Sequence, residues 1–150
     1  VIQEFTEYAP VLAHGLREST MSLPITQTLL VTEDKGILHI ILNRPESRNS
    51  MSLQMVQELQ ALFTWGAENH IRAVVLRGAG GHFCAGGDIR FFHQKGIASA
   101  TGGAALIEDF FTEEYSLNYL IHHYPKPYVA LMDGVVMGGG MGIAMCLARD

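Results

Sequence analysis

The spacing of apolar residues predicts a β-hairpin followed by an amphipathic helix in the first half of the chain. Residues 28–32 and Ile37–Leu42 are apolar runs, and the polar residues between them end in Gly36, which suits a tight turn. Ser52 stands where a helix N-cap is expected. Apolar residues follow it at helical spacing: Met55, Val56, Leu59, Leu62 and Phe63. We therefore expect a helix from Leu53 to about Glu68.

In the second half, the apolar residues continue to alternate between strand and helix patterns. Residues 73–76 and 128–132 are short apolar runs that predict buried strands. Between them, residues 104–122 predict a helix, which ends before two prolines because proline cannot continue a helix. A last helix is predicted to start at Ile143. Strands and helices that alternate at these lengths are typical of βαβ units, so we expect an α/β fold.

Composition and charge exclude several classes of protein. Hydrophobic residues make up 48% of the 150 residues and charged residues 17%, which excludes a disordered chain. The net charge of −5 is unlike that of a nucleic-acid-binding protein, which presents a basic patch. No apolar run approaches the ~20 residues that cross a bilayer, so we expect no membrane partner. Cys84 and Cys146 are too few for a disulfide framework, which indicates a reducing compartment.

The N-terminal region is set apart from the rest of the chain. Residues 1–20 contain no basic segment followed by an apolar one, so they lack the pattern of a secretory signal. Met21 is a candidate natural start. We therefore divide the chain into an N-terminal extension, residues 1–20, which we interpret as a disordered arm, and one domain, residues 21–150.

Glycine-rich turns follow the third and fourth predicted strands, at residues 78–88 and 134–142. Glycine lets the backbone approach a ligand and turn its N–H groups toward it, and a helix N-terminus adds a partial positive charge. One interpretation is tight turns and close packing alone. A second is a dinucleotide-binding fingerprint, which lacks its third glycine because Phe83 stands there. The third is a pair of N–H donors that share one oxyanion, and spacing alone does not decide among the three.

Three motifs resemble those of the enoyl-CoA hydratase/isomerase family, also called the crotonase family. The first reads Leu-Asn-Arg-Pro at residues 42–45 and Asn-Ser-Met at 49–51, and the second reads His-Phe-Cys-Ala-Gly-Gly-Asp-Ile at 82–89. The third combines Lys-Pro at 126–127, Asp-Gly at 133–134 and Gly-Gly-Gly at 138–140. The resemblance implies a ClpP/crotonase-like fold, a spiral of ββα units, of which this chain holds the N-terminal part, truncated at its C-terminus.

This resemblance implies a catalytic site made of backbone groups. In the family, two N–H groups hold the thioester oxygen of an acyl-CoA as it becomes an anion, and by position they belong to Gly87 and Gly139. The resemblance also implies that coenzyme A contacts a further set of residues: Arg44, Arg48, Ala85, Asp88 and Ile89. The alternative for the two arginines is that they are solvated, and for Asp88 that it caps the helix after the turn.

Within the family, three segments most resemble the 3-hydroxyisobutyryl-CoA hydrolase branch: residues 110–118, 126–131 and 137–142. Hydratases of the family carry the first of two catalytic glutamates where this chain has Gly142, and a glycine cannot transfer a proton. The resemblance implies that Glu114 binds the substrate. It also implies that the catalytic Glu and Asp of this branch lie beyond Asp150.

Glu114 also has an interpretation that comes from its own surroundings. A half-buried carboxylate in the middle of a helix, near Phe110 and Tyr115, is expected to have a raised pKa and to accept a substrate hydroxyl. The alternative is a solvated carboxylate on the helix surface, because Asp109 and Glu113 lie close by in sequence.

The resemblance implies an enzyme that processes an acyl-CoA thioester, in fatty-acid or valine catabolism. Our first expectation is hydrolysis of a thioester like 3-hydroxyisobutyryl-CoA. The alternatives are an enoyl-CoA hydratase or isomerase, and a non-catalytic fragment that binds coenzyme A or acts as a scaffold. We expect no cofactor, since coenzyme A is part of the substrate, and no metal. We also expect a homo-oligomer, a trimer or hexamer, in the cytoplasm or the mitochondrial matrix.

Overall fold

A four-stranded sheet lies at the centre of the part of the chain that the computed structural model describes, residues 22–98 and 103–145. Its strands are Leu29–Asp34 (β1), Ile37–Leu42 (β2), Ala73–Gly78 (β3) and Tyr128–Leu131 (β4), side by side in this order. β1 and β2 are antiparallel, whereas β2, β3 and β4 are parallel. The predicted extension at residues 1–20 lies outside the described residues, as does the end of the last predicted helix.

Helices connect the parallel strands. Within the described residues they span Leu53–Glu68 (α1), Ile89–Ala98 (α2), Gly103–His122 (α3) and Gly139–Ala144 (α4), with one 3-10 turn at Pro45–Ser47. α1 connects β2 to β3, and α2 and α3 connect β3 to β4, so the chain forms the predicted βαβ units and the α/β fold is confirmed. In the described ranges, no helix combines the length and apolar character needed to span a membrane.

The hairpin between β1 and β2 closes through two residues in left-handed conformation. Lys35 has φ 50° and Gly36 has φ 79°, the geometry that matches the twist of a two-residue hairpin. The backbone N–H of Gly36 donates to the side chain of Glu33 at 2.8 Å. Because the turn needs only these two residues, β1 continues to Asp34, two residues beyond the predicted strand.

One face of the sheet and the inner faces of α1 and α3 enclose the core. β2 buries alternate residues, Leu38, Ile40 and Leu42, as a strand with one covered face does. α1 buries the whole stripe predicted from the sequence: Met55, Val56, Leu59, Leu62 and Phe63. α3 adds Phe110 and Leu117 to the same core. The sheet is thereby fixed against both helices.

β4 is half exposed, so the prediction of a buried strand there is wrong. Val129 and Leu131 are 47% and 50% exposed, while Tyr128 and Ala130 pack partly against the core. In the described part of the protein, one face of β4 meets the core and the other is open. A continuous apolar run does not tell which face of a strand is covered, which is why the pattern misled.

α4 begins at Gly139, four residues before its predicted start. Gly138 has φ 55°, which turns the chain into the helix. The N–H of Gly140 donates to Met137 O and that of Met141 to Gly138 O, both at 2.9 Å, and these bonds close the first turn. The glycines therefore form the start of the helix, where the sequence predicts a loop.

The N-cap of α1 provides a test of the local structure. Ser52 Oγ accepts the N–H of Met55 at 3.2 Å, as predicted. Ser52→Ala removes this acceptor and should lower the free energy of unfolding by about 1 kcal/mol, whereas Ser52→Asp supplies another acceptor and should stay close to wild type. Urea unfolding followed by circular dichroism measures both. Equal midpoints for Ser52→Ala and wild type would contradict the capping role.

Candidate functional site

A buried asparagine fixes the loop after β2 against the first glycine-rich turn. Asn49 is 0% exposed, and its φ of 56° is a left-handed conformation that asparagine tolerates. Its Oδ1 accepts the N–H of Arg44 at 2.9 Å, and its Nδ2 donates to Ala79 O and His82 O, each at 2.8 Å. Asn49 belongs to the first family motif, but the resemblance implied no role for it. The sequence did offer one indication: the side-chain amide of asparagine can accept a hydrogen bond from one segment and donate to another.

The structure brings two of the predicted coenzyme A contacts together in an ion pair. Arg44 Nη2 lies 2.8 Å from Asp88 Oδ2, and Arg44 Nη1 donates to Ser50 O at 2.6 Å. Asp88 Oδ1 also accepts the N–H of Phe91 at 3.2 Å, so Asp88 is an N-cap of α2, the alternative that the sequence left open. Arg44 and Asp88 therefore have internal partners, and their contact with coenzyme A stays a prediction.

The other predicted coenzyme A contacts lie nearer the surface. Arg48 and Ile89 are exposed, and no described ion pair engages Arg48. Ala85 is half-buried, and its N–H donates to Arg48 O at 3.0 Å, which holds the two residues side by side. An exposed guanidinium beside this turn is chemically suited to a phosphate.

Backbone hydrogen bonds join the two glycine-rich turns. The N–H of Phe83 donates to Asp133 O at 2.7 Å and the N–H of Cys84 donates to Val135 O at 3.0 Å. In return, the N–H of Met137 donates to Cys84 O at 3.1 Å. These bonds form a short parallel bridge between the segments that follow β3 and β4. They fix the relative position of the two turns.

Cys84 is part of this bridge and is not a reactive thiol. It is 0% exposed, and burial raises its pKa to about 11. A Cβ on Gly140 would stand 2.9 Å from Cys84 Cβ. Cys84 is therefore a small residue that allows α4 to approach the first turn.

The N–H of Gly87 points away from Met51, the residue with which Gly87 forms a backbone bridge. Gly87 forms a parallel bridge with Met51, in which the N–H of Met51 donates to Gly86 O at 2.7 Å and the N–H of Asp88 donates to Met51 O at 2.9 Å. Successive residues of an extended segment point their backbone groups to opposite sides. The N–H of Gly87 consequently faces away from Met51, and no described residue accepts it.

The N–H of Gly139 lies close to the same turn. A Cβ on Gly86 would stand 3.4 Å from Gly139 N and 3.5 Å from Gly138 Cα, so the two turns are in van der Waals contact. Gly139 is the first residue of α4, where an N–H has no partner within the helix. No described residue accepts this N–H either. Two donors without acceptors thus belong to adjoining backbone segments.

Glu114 lies against Gly139 and is more buried than predicted. It is 6% exposed, which rules out the alternative of a solvated carboxylate, and burial raises its pKa. A Cβ on Gly139 would overlap Glu114 Oε1, and a Cβ on Gly87 would stand 3.1 Å from Phe110 Cε1. No described residue donates a hydrogen bond to the carboxylate. The structure therefore brings Gly87, Gly139 and Glu114 into one neighbourhood, lined by Phe110 and Met51.

Among the described residues, no candidate metal site lies near Gly87, Gly139 and Glu114. Among residues 22–98 and 103–145, no three His, Cys, Asp or Glu side chains come together in a group that could hold an ion.

A side chain at position 139 would overlap the carboxylate of Glu114, and a double-mutant cycle measures the energetic coupling of the two positions. Gly139→Ala puts a methyl group on the carboxylate and should lower the free energy of unfolding by about 2 kcal/mol, although alanine is the better helix former. In the Glu114→Ala background the loss should be smaller, because only the flexible end of the Met51 side chain then lies against the new methyl group. Urea unfolding of the four proteins gives the coupling. A coupling energy below about 0.5 kcal/mol would show that the two positions are independent.

Glu114→Gln measures the cost of burying the carboxylate. Because burial raises the pKa of Glu114, the folded protein holds this proton more tightly than the unfolded chain, and stability falls as pH rises from the usual pKa of a glutamate through the raised pKa of the folded state. The Gln variant should therefore be more stable than wild type at neutral pH, and the difference should vanish in acid. Thermal unfolding across pH measures it, with Glu108→Gln on an exposed position of α3 as control. A Gln variant less stable than wild type at pH 7 would contradict this account.

Comparison with known proteins identifies the family. The family model described as enoyl-CoA hydratase/isomerase matches residues 37–148. The mitochondrial 3-hydroxyisobutyryl-CoA hydrolase of Xenopus tropicalis is 45% identical over 108 residues, which cover 71% of this chain and 27% of that protein. The enzyme of the same name from Mus musculus is 37% identical over 147 residues, covering 96% and 36%. The chain thus spans about a third of the length of these relatives.

Solved structures show the same fold. Pseudomonas aeruginosa AtuE is 43% identical with a TM-score of 0.71, and the match covers 78% of this chain and 44% of that one. A carnitinyl-CoA dehydratase from Mycobacterium thermoresistibile is 38% identical with a TM-score of 0.72, covering 79% and 34%. Together with the match over residues 37–148, these findings show that the chain belongs to the enoyl-CoA hydratase/isomerase, or crotonase, family.

Proposed function

We propose that this chain belongs to an enzyme that hydrolyses a short β-hydroxyacyl-CoA thioester such as 3-hydroxyisobutyryl-CoA. One observation carries the proposal: two backbone amides without acceptors, at Gly87 and Gly139, lie on adjoining segments beside the buried carboxylate of Glu114. In this proposal the amides hold the thioester oxygen, and Glu114 contacts the acyl group.

The two amides suit an oxygen that gains charge during the reaction. A thioester carbonyl becomes an oxyanion when a nucleophile adds to its carbon. Donors that are fixed in advance stabilise that charge without reorganising, and each is worth about 3 kcal/mol of the barrier. The bridge from Met51 fixes Gly87, and the bonds between the two turns fix the approach to Gly139. The protein has therefore met the cost of ordering the donors when it folds.

Glu114 suits recognition of a hydroxyl group. A buried carboxylate without a donor is costly, and a substrate hydroxyl offers the missing hydrogen bond. An acyl group without a hydroxyl cannot donate this hydrogen bond, so the carboxylate of Glu114 stays buried without a donor. A site built in this way discriminates by the penalty of an unpaired buried acceptor.

Gly142 favours hydrolysis over the hydratase reaction that uses two glutamates. A Cβ at this position would stand 2.8 Å from Asn118 Nδ2 and 3.0 Å from Asn118 Oδ1. Asn118 thus fills the space that a longer side chain at Gly142 needs. The names of the relatives at 37–45% identity, 3-hydroxyisobutyryl-CoA hydrolases, point in the same direction.

Coenzyme A binding is proposed along the loop after β2 and the first turn. The exposed guanidinium of Arg48 is the proposed phosphate contact. Ala85 and Ile89 are proposed to lie along the coenzyme A portion of the substrate. Arg44, paired with Asp88, contributes by holding the turn in place as well as by its charge. No further cofactor is proposed.

Enoyl-CoA hydration or isomerisation is the second candidate function. It is favoured by the solved structures, which include an enoyl-CoA hydratase/isomerase from Marinobacter aquaeolei at 39% identity and a TM-score of 0.69. The same two amides serve that chemistry, since an enolate oxygen carries the same charge.

Location in the mitochondrial matrix or the cytoplasm, and assembly as a trimer or hexamer, stay predictions.

Thioester hydrolysis tests the proposal on the full-length protein. Release of free coenzyme A from 3-hydroxyisobutyryl-CoA and from isobutyryl-CoA is followed with a thiol reagent, and addition of water to crotonyl-CoA is assayed in parallel. We expect faster release from the hydroxylated substrate and no hydration. Hydration of crotonyl-CoA without thioester hydrolysis selects the second candidate, and coenzyme A binding without turnover selects a non-catalytic role.

Glu114 variants test the role of the hydroxyl contact. Glu114→Ala should reduce kcat/KM for the hydroxylated substrate by roughly 10- to 100-fold, the size of a hydrogen bond to a charged group, and change the value for isobutyryl-CoA much less. Glu108→Gln serves as the control on the same helix. An equal loss on both substrates would show that Glu114 does not recognise the hydroxyl.

A further inference from the structure

A histidine side chain forms one of the hydrogen bonds between the two glycine-rich turns. The N–H of Val135 donates to Nδ1 of His82 at 3.1 Å, across 53 positions of sequence. The neighbouring links, from Phe83 to Asp133 and from Cys84 to Val135, use backbone carbonyls as acceptors. The imidazole therefore takes the place of a carbonyl at the end of the bridge. We infer that His82 is a positioning residue for the site formed by Gly87 and Gly139.

His82 occupies the point where three segments meet. Its backbone O accepts Nδ2 of Asn49, from the loop after β2, while its side chain accepts the N–H of the second turn. A Cβ on Gly134 would stand 2.5 Å from Nδ1, and Gly134 has φ 55°. A glycine at this position thus lets the imidazole reach the backbone. The loop, the first turn and the second turn are joined through one residue.

The bond requires one particular form of the imidazole. The N–H of Val135 is a fixed donor, so Nδ1 must present a lone pair and the ring proton must be on Nε2. A ring with a proton on Nδ1 would place two donors face to face. The Nε2–H tautomer is therefore the form that this hydrogen bond between the two turns requires.

The hydrogen bond between Val135 and His82 lies only a few residues in sequence from Gly139 and Gly87. Val135 is four residues before Gly139, and His82 is five residues before Gly87. Val135 O accepts the N–H of Cys84 and the N–H of Met137 donates to Cys84 O, so residues 135–137 are held together, and a shift at Val135 is expected to carry Met137 and the start of α4 with it. His82 touches no reacting atom in this scheme. The inference rests on the proposed function, because it assigns His82 to the spacing of the two amides.

Three variants at His82 test the role in catalysis. In His82→Asn, the side-chain oxygen takes roughly the place of Nδ1, whereas in His82→Gln it reaches further, toward the place of Nε2, and His82→Ala has no acceptor. In the full-length protein with 3-hydroxyisobutyryl-CoA, we expect kcat for Asn within about threefold of wild type. For Gln and Ala we expect kcat at least tenfold lower with little change in KM, because an oxyanion contact counts mainly in the transition state.

Nuclear magnetic resonance tests the link without reference to activity. The ¹⁵N shifts of His82 should show an unprotonated Nδ1 and a protonated Nε2. Hydrogen exchange of the Val135 amide should be slow in wild type and His82→Asn, and at least tenfold faster in His82→Ala and His82→Gln. A protonated Nδ1, or exchange at Val135 that does not change in His82→Ala, overturns the inference.

The two measurements separate failure of the inference from failure of the proposed function. Equal kcat for wild type and His82→Ala, with thioester hydrolysis present, overturns the positioning role and leaves the proposed function in place. Absence of thioester turnover in wild type overturns the proposed function, and the exchange of Val135 then decides the link alone. A circular dichroism melt of each variant shows that the protein is folded during the assays.

Discussion

The bridge between the segments that follow β3 and β4 is the interaction on which the candidate site depends. Because β3 and β4 are parallel neighbours, their carboxyl ends lie at the same edge of the sheet and the two turns emerge side by side. Hydrogen bonds from Phe83 and Cys84 to the second turn then fix their separation. Without this bridge, the amides of Gly87 and Gly139 would belong to two independent loops. With it, they lie on adjoining backbone segments.

Close approach of backbone segments explains the glycines around this bridge. A Cβ at Gly86 would fall against Met137 O and Gly139 N, and one at Gly140 would meet Cys84. The same closeness brings Gly139 to the carboxylate of Glu114. Glycine is needed here because a side chain would force the two backbone segments apart.

The polar side chains around the candidate site differ in whether their burial is offset by hydrogen bonds. Asn49 and the pair of Arg44 with Asp88 have their hydrogen bonds satisfied inside the protein, so they order the loop and the start of α2. Glu114 differs, because burial raises its pKa and no described residue donates to it. A group that destabilises the fold in this way is characteristic of a functional site. The contrast separates the residues that order the turns from Glu114, whose burial is not offset by a hydrogen bond from any described residue.

The sequence by itself determined the parts that depend on short-range order: the hairpin, the N-cap at Ser52 and the limits of α1, because periodicity and caps act within a few residues. Its motifs also indicated the family and the positions of Gly87 and Gly139. Only the tertiary structure decided that β4 has an open face, that Arg44 pairs with Asp88, and that His82 accepts a bond from the second turn. These contacts join residues 44 or more positions apart, and such partners leave no periodic trace in the sequence.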